Sequence, residues 1–337
     1  MEFRSSGISG VSIILCCFNS AKRLPETLKH IAQQKVDKSL SWEVIVVNNN
    51  STDATYELAA SLWKSIEIDT ELKVVHEATP GLSNARAKGM QYAKHDIILW
   101  CDDDNWLCDT YVQTAYDLMT KNENIGALGG WCEAAFEIEK PDWFDSCARY
   151  FAVSKQGKKS GDITSKKGCV YGAGMVLRKS HWEQLNTLGF KHLLGDRVGK
   201  SLSSGGDTEY CYALRLLGYK MWFDERLYFT HFMTKERLSL AYVSRIRKAM
   251  SYSNFMIWPY LDKLGGLNPR TRQDFIREAF KGMPMRLIKK TGALVIGNFE
   301  QKEVAKRYLR HLKYRLFYHS TYKRNLETIN TWLSNHT

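Results

Sequence analysis

From residue 11 to residue 106, short apolar runs alternate with stretches whose apolar positions recur every three or four residues. Val11-Ser12-Ile13-Ile14-Leu15-Cys16-Cys17-Phe18 is apolar on both faces, as a central parallel strand is. After Asn19-Ser20, Leu24, Leu28 and Ile31 fall at helical spacing, with Ser20 as the expected cap and Pro25 in the first turn. Glu43–Val47 reads as a second strand and runs into Asn48-Asn49-Asn50-Ser51-Thr52-Asp53, followed by a helix through Tyr56, Leu58 and Leu62. Leu72–His76 is a third strand. Pro80-Gly81 turns the chain, and Ser83 is placed to cap a helix through Ala85, Gly89 and Ala93. Asp96–Leu99 is a fourth strand, opening onto Trp100-Cys101-Asp102-Asp103-Asp104-Asn105-Trp106. Strand and helix alternating over short connections predict βαβ units on a mostly parallel sheet.

Beyond residue 124 the pattern loosens. Ile125–Trp131 and Gly168–Leu177 read as glycine-rich strands, and residues 154–168 as a mobile polar loop. A helix is expected from Ser180. A glycine-rich segment, Gly195 to Gly206, leads to Asp207-Thr208-Glu209 and an amphipathic helix ending at Gly218; two aromatic stretches then precede His231. From 232 onward the reading is helical: Val304, Tyr308, Leu312 and Leu316 recur every four residues in a basic setting.

The chain has 337 residues, enough for one large core or a core with an appendage, and a net charge of +12. Residues 232–337 hold 21 Lys and Arg against 7 Asp and Glu, leaving 27 against 29 in residues 1–231. A near-neutral body with a basic C-terminal region points to an anionic partner for that region. The eight Cys show no C-x-x-C pair, so neither a disulfide framework nor a zinc site is expected. Met1 to Gly10 has no secretory apolar region, and no apolar run approaches the roughly 20 residues of a membrane helix. The expectation is a cytoplasmic protein, at most peripheral at the inner membrane's cytoplasmic face.

Candidate chemistry sits where the strands end, the place where open α/β sheets bind ligands. Three adjacent carboxylates, Asp102, Asp103 and Asp104, repel one another unless a hard cation lies among them; an acidic, solvated turn is the other reading. Asp207 precedes a helix and serves as a cap or as a base; His231 alone is a packed or surface residue. Arg197 and Lys200, in the loop beside Asp207, meet a diphosphate or stay solvated. Trp131, Trp143 and Trp182 stack on sugars or fill the core. No G-x-G-x-x-G follows the first strand, which argues against a dinucleotide fold, and no nucleic-acid-binding module is visible.

Taken together, these separated motifs resemble family 2 glycosyltransferases, inverting enzymes with the GT-A fold, over residues 11–231. Phe18-Asn19 resembles the family's first nucleotide-contacting segment, with Cys16 where Pro is usual. Val46–Asp53 resembles its V-V-D-D-G-S-T-D segment, whose acids hold the base; here Asn48 and Asn49 replace both, and amides also pair with base edges. Ser83–Gly89 looks like the A-R-N-x-G helix, implying a donor-side role for Arg86. Asp102-Asp103-Asp104 looks like the DxD motif, implying ribose contact by Asp102 or Asp103 and ligation of Mg²⁺ or Mn²⁺ by Asp104. Gly206–Glu209 resembles E-D-x-[DE] with Gly for the first acid, which makes Asp207 the general base. His231 stands where a late His completes the metal and diphosphate site.

The resemblance implies a Rossmann-like, mostly parallel sheet flanked by helices. Its catalytic domain would span 1–231, divided into a nucleotide half over 8–108 and an acceptor half over 109–231, with 232–337 a basic helical appendage. It implies transfer of a sugar from a nucleotide-diphosphate donor to a hydroxyl on a glycan or lipid-linked acceptor. The basic appendage would lie on an anionic membrane or pack as a helical cap. Two rival readings remain. A sugar-nucleotide nucleotidyltransferase would carry a glycine-rich basic loop where this chain has Asn19-Ser20-Ala21. An inactive donor-binding scaffold is raised by Asn48, Asn49 and Gly206.

Overall fold

The computed structural model describes residues 8–195, 205–281 and 283–336. Its sheet is built from β1 (Ile8–Cys17), β2 (Ser41–Asn48), β3 (Leu72–His76), β4 (His95–Asp102), β5 (Asn105–Leu107), β6 (Ile125–Phe136), β7 (Gly161–Asp162), β8 (Met175–Arg178) and β9 (Lys220–Met233). The spatial order is β3-β2-β1-β4-β8-β6-β9-β5, with β7 paired to β9. The β3-β2-β1-β4 half is parallel throughout. The other half is mixed: β8 runs antiparallel between β4 and β6, while β6 and β9 are parallel.

Successive side chains of a strand face opposite ways, and the two sides of this sheet fill two cores. Val11, Ile13, Leu15 and Cys17 join Leu24, Leu28 and Ile31 of α1 (Leu24–Ala32) and Ala59 and Trp63 of α2 (Thr55–Ser65). Ile14, Ile45, Val47, Ile98 and Trp100 face α3 (Leu82–Tyr92) through Ala85 and Met90. Gly89 lets α3 approach this closely, because a Cβ there would stand 2.3 Å from Ile14 Cγ2. Apolar residues from Ile13 to Cys17 in β1 and from Val44 to Val47 in β2 thus serve both faces, which is why these strands read as continuous runs.

Four more helices follow in the same half: α4 (Tyr111–Lys121), α5 (Phe144–Cys147), α6 (Lys179–Thr187) and α7 (Gly206–Leu216). The C-terminal region is helical, as expected: α8 (Leu240–Met256), α9 (Trp258–Leu264), α10 (Arg272–Phe280), α11 (Met283–Ile296), α12 (Phe299–Phe317) and α13 (His319–Leu333). It is docked, not pendant. Phe255, Tyr260, Phe275, Tyr314, Tyr322 and Trp332 lie in the same apolar cluster as Ile14 and Trp100. The four-residue stripe expected on α12 is only half-buried; Glu303, Ala305 and Tyr314 are its buried residues.

Several local expectations are corrected. Ser20 does not cap α1: Arg23 holds that position, and the Ser20 hydroxyl donates to Asp103 instead. Ser83 lies inside α3, whose N-cap is Gly81 at φ 134°. The strand expected over 168–177 shrinks to Met175–Arg178, since Gly168 and Gly174 adopt positive φ and break extended geometry. The polar loop 154–168 is partly tied down: β7 pairs with β9, and Gln156, buried, donates to Gly130 O and accepts from Tyr171 N. Arg197 and Lys200 lie outside the described residues.

Candidate active site

The carboxyl ends of β1, β2 and β4, the loop before β8, the start of α7, the end of β9 and the inner face of α8 surround one cavity of about 760 Å³. Phe18, Asn49, Arg86, Asp102, Asp103, Asp104, Asp207 and His231 all line it. Residues up to 241 positions apart in sequence, from Cys16 to Ile257, therefore meet at one place.

The three aspartates are not equivalent. Asp102 ends β4 and is half-buried. Asp103 turns inward, where Ser20 Oγ and Arg23 Nη2 donate to its carboxylate and Thr27 Oγ1 donates to its carbonyl at 2.8 Å. Burial and the neighbouring Asp104 charge raise its carboxyl, against the pull of Arg23. Asp104 is 1% exposed. Burial acts to raise it too, but the Arg237 guanidinium and His231 beside it win, and its carboxyl is held far below the usual range. Arg237 Nη1 is 2.8 Å from Asp104 Oδ2, and His231 Nε2 is 3.3 Å from Oδ1. β5 and β9 bring them together: Asn105 pairs with His231, and Phe232 N donates to Asp104 O at 2.8 Å.

On the opposite wall, Asp207 stands in the first turn of α7. Gly205, at φ 115°, takes the N-cap position. Asp207 Oδ2 accepts from Gly172 N at 2.6 Å and Oδ1 from Thr208 N at 2.7 Å, leaving the carboxylate on the cavity wall rather than capping from outside the helix. A Cβ on Gly172 would stand 2.7 Å from Arg86 Nη2 and 3.1 Å from Asp207 Cβ. Arg86 spreads over the Trp100 ring at 4.2 Å.

Two nominated residues are bracing elements. Asn19, at φ 49°, accepts from Thr52 N through its side chain, and its own amide donates to Ser51 Oγ, fastening the β1–α1 turn to the β2–α2 turn. Asn48 Oδ1 accepts from Ser51 N at 3.3 Å. Asn49 reaches the cavity, but its amide is occupied: Nδ2 donates to Glu77 O and Thr79 O, and Oδ1 accepts from Gly81 N. Trp131, Trp143 and Trp182 pack in or against apolar clusters and do not line the cavity.

Other lining residues were not nominated from sequence: Arg23, Arg149, Tyr171, Arg237 and a face of α8 with Tyr242, Ile246, Met250 and Asn254. For Arg237 the only signal was a cation six residues beyond His231. The α8 wall had none, because its apolar residues serve packing and cavity alike.

Against known proteins, a family model described as glycosyl transferase family 2 matches residues 12–185, just over half of the chain. The chain belongs to glycosyl transferase family 2. Among relatives, "Putative glycosyltransferase EpsH" of Bacillus subtilis is 30% identical over 111 residues, 32% of this chain and 30% of that protein. A "Poly-beta-1,6-N-acetyl-D-glucosamine synthase" of Staphylococcus aureus is 28% identical over 123 residues, 36% of this chain and 28% of that protein. The matched stretches span less than a third of those proteins. Among solved structures, S. aureus TarS 1–349 in complex with UDP superposes with a TM-score of 0.50 at 15% identity, covering 97% of this chain and 91% of that one. That likeness is one of fold. It extends through the C-terminal helices, which the family model does not reach.

For the metal that the family 2 resemblance implies, the donor chemistry fits a partial site. Among the described residues no group of three or more His, Cys, Asp or Glu converges on one point. Asp104 and His231 form a two-donor set, and neither Asp104 oxygen nor His231 Nδ1 has an aligned hydrogen-bond partner in the structure. Two protein donors completed by phosphate oxygens is the usual arrangement for Mg²⁺ in phosphate sites.

Proposed function

We propose that this chain is a metal-dependent, inverting glycosyltransferase, moving a sugar from a nucleotide-diphosphate donor to a hydroxyl of a glycan or lipid-linked acceptor in polysaccharide or glycolipid synthesis. The observation that carries the reading is that Asp104 with His231 and Asp207 with Gly172 face one cavity from different elements. Its volume suits a nucleotide sugar. Phe18 and Asn49 would stand on the nucleotide side, Asp102 or Asp103 would contact the ribose, and Arg86 would serve the donor side. Asp104 and His231 would hold the metal, Mg²⁺ or Mn²⁺. When bound, a divalent ion supplies charge neutralisation to the departing diphosphate.

The chain's own residues do the rest. Asp207, held by the Gly172 amide in the first turn of α7, is the carboxylate assigned to accept the proton of an attacking hydroxyl. Arg86 and Arg237 add positive charge where the leaving group departs. Direct displacement with inversion then needs this one carboxylate alone, taking the proton of the hydroxyl that attacks opposite the leaving group. The basic C-terminal helices, with exposed Phe280, Val295, Ile296 and Phe317, would rest on an anionic bilayer and present a lipid-linked acceptor.

Transfer from a panel of nucleotide sugars, with and without Mn²⁺, tests the reading. Activity should require the ion and collapse in Asp104→Ala. Asp207→Asn should keep donor binding by thermal shift and lose about 10²-fold or more in transfer. Transfer surviving Asp207→Asn would remove Asp207 as the base.

A further inference from the structure

The turn that follows β9 carries Arg237 back over the strand. Arg237 N donates to Thr234 O at 3.0 Å and Leu238 N to Lys235 O at 3.1 Å, closing the turn. From there Nη1 reaches 2.8 Å from Asp104 Oδ2 and 3.2 Å from His231 Nε2, while His231 Nε2 itself is 3.3 Å from Asp104 Oδ1. One nitrogen stands against both groups that would ligate a metal. An ion bound to a carboxylate oxygen and an imidazole nitrogen sits about 2 Å from each. It cannot do so while a cationic nitrogen occupies the space they share.

The Arg237 contact is also of an unusual kind. A structural Arg–carboxylate pair is typically bidentate, with two aligned N–H donors. Here Arg237 Nη1 stands 2.8 Å from Asp104 Oδ2, yet neither Asp104 oxygen receives an aligned hydrogen bond. The charge is balanced while the lone pairs of both oxygens remain without an aligned donor. By contrast Asp103, its neighbour, is hydrogen-bonded by both Ser20 and Arg23. Arg237 has somewhere to go. Its side chain is about one-fifth exposed and lines the cavity, on the side where a diphosphate would lie.

We propose that Arg237 is a placeholder in the metal seat. It neutralises Asp104 before ligand binds, yields the position when a divalent ion arrives, and turns into the cavity to bind the diphosphate. This rests on the donor and metal reading above and adds a consequence: ion and nucleoside diphosphate bind with positive coupling, because each favours the same displaced position of Arg237.

The test is Mn²⁺ binding to the full chain, followed by electron paramagnetic resonance of the free ion, with UDP as the second probe. Arg237→Gln keeps much of the side-chain volume without the charge, and Arg237→Lys keeps charge without the fork. Without nucleotide, Arg237→Gln should bind Mn²⁺ about tenfold more tightly than wild type, a usual size for coupling between two sites. UDP should tighten Mn²⁺ strongly in wild type and much less in Arg237→Gln. Equal Mn²⁺ affinity in all three chains, or weaker binding in Arg237→Gln, overturns the proposal. Binding of UDP with no Mn²⁺ binding to any chain also overturns it, leaving the donor reading intact with Arg237 as the permanent cation. Tighter Mn²⁺ in Arg237→Gln with no response to UDP supports the shared seat and overturns the coupling and the UDP reading alone.

Discussion

Gly172 shows how much of a site one missing side chain can hold. Its amide fixes Asp207, and its bare Cα leaves room for the Arg86 guanidinium beside that same residue. A methyl group there must move the Arg86 guanidinium, which yields easily, and crowd the Asp207 Cβ, which is anchored in a helix. Gly172→Ala should therefore lower kcat about 10- to 100-fold through misplacement of the base, with a smaller change in donor affinity. Steady-state kinetics beside a thermal melt will read this; an unchanged kcat would show that the Gly172–Asp207 contact has no part in the reaction. The same scale separates the aspartates. Adjacent in sequence, Asp103 is structural in its contacts and raised by burial, while the Asp104 carboxyl is held far below the usual range by the Arg237 guanidinium, with His231 beside it.

Elements were legible where one physical demand sets the residues. The two-faced apolar run Val11–Cys17 and the strand before Asp102 can do little else than fill two cores. The Gly168–Leu177 stretch misled because its apolar content is spent on a loop that aims Gly172, and the positive φ of Gly168 and Gly174 leaves no trace in hydrophobic period. Arg237 was illegible for a different reason. Its partners belong to the β4–β5 turn and to β9, and only the turn closing over β9 brings it near them. The α6 helix gives an element-scale prediction. His181, buried against the Tyr219 ring at a 3.9 Å centroid distance, is lowered to about 4 by burial, with Arg178 adding to the effect. A histidine whose folded value lies below its unfolded one is favoured neutral. Its stability is full above about pH 6.5 and falls as pH drops toward 4. At pH 5 the loss should be about 1–2 kcal/mol relative to pH 7.5. Urea unfolding at the two pH values, on wild type and His181→Gln, should show a smaller pH difference in the variant. Equal differences would mean another group governs the decline.

At the scale of the whole molecule, the basic region and the catalytic half share one core, and α8 forms a cavity wall. Cutting the chain after about residue 235 would strip Arg237 and Tyr242 from the site along with the basic helices, so loss of membrane binding in that fragment would say nothing about the surface. Point changes in the full chain keep the site. No helix among the described residues is long and apolar enough to cross a membrane. Val295 and Ile296 are 78% and 89% exposed at the end of α11, Lys290 lies within that helix, and Lys281 caps the end of α10 just before it. A juxtamembrane Lys or Arg contributes about 1 kcal/mol toward an anionic bilayer. Reversing Lys281 and Lys290 to Glu, with Val295→Ser and Ile296→Ser, should then reduce co-sedimentation with anionic vesicles by at least about tenfold. Donor binding should be unchanged, since none of the four lines the cavity. Raising the salt to about 0.5 M should weaken the wild-type interaction by screening. If wild type sediments equally with neutral and anionic vesicles, or the variant equals wild type, the charged helices face solvent. The acceptor must then reach Asp207 from water, because the electrostatic attraction that would draw a lipid-linked one to this face is absent.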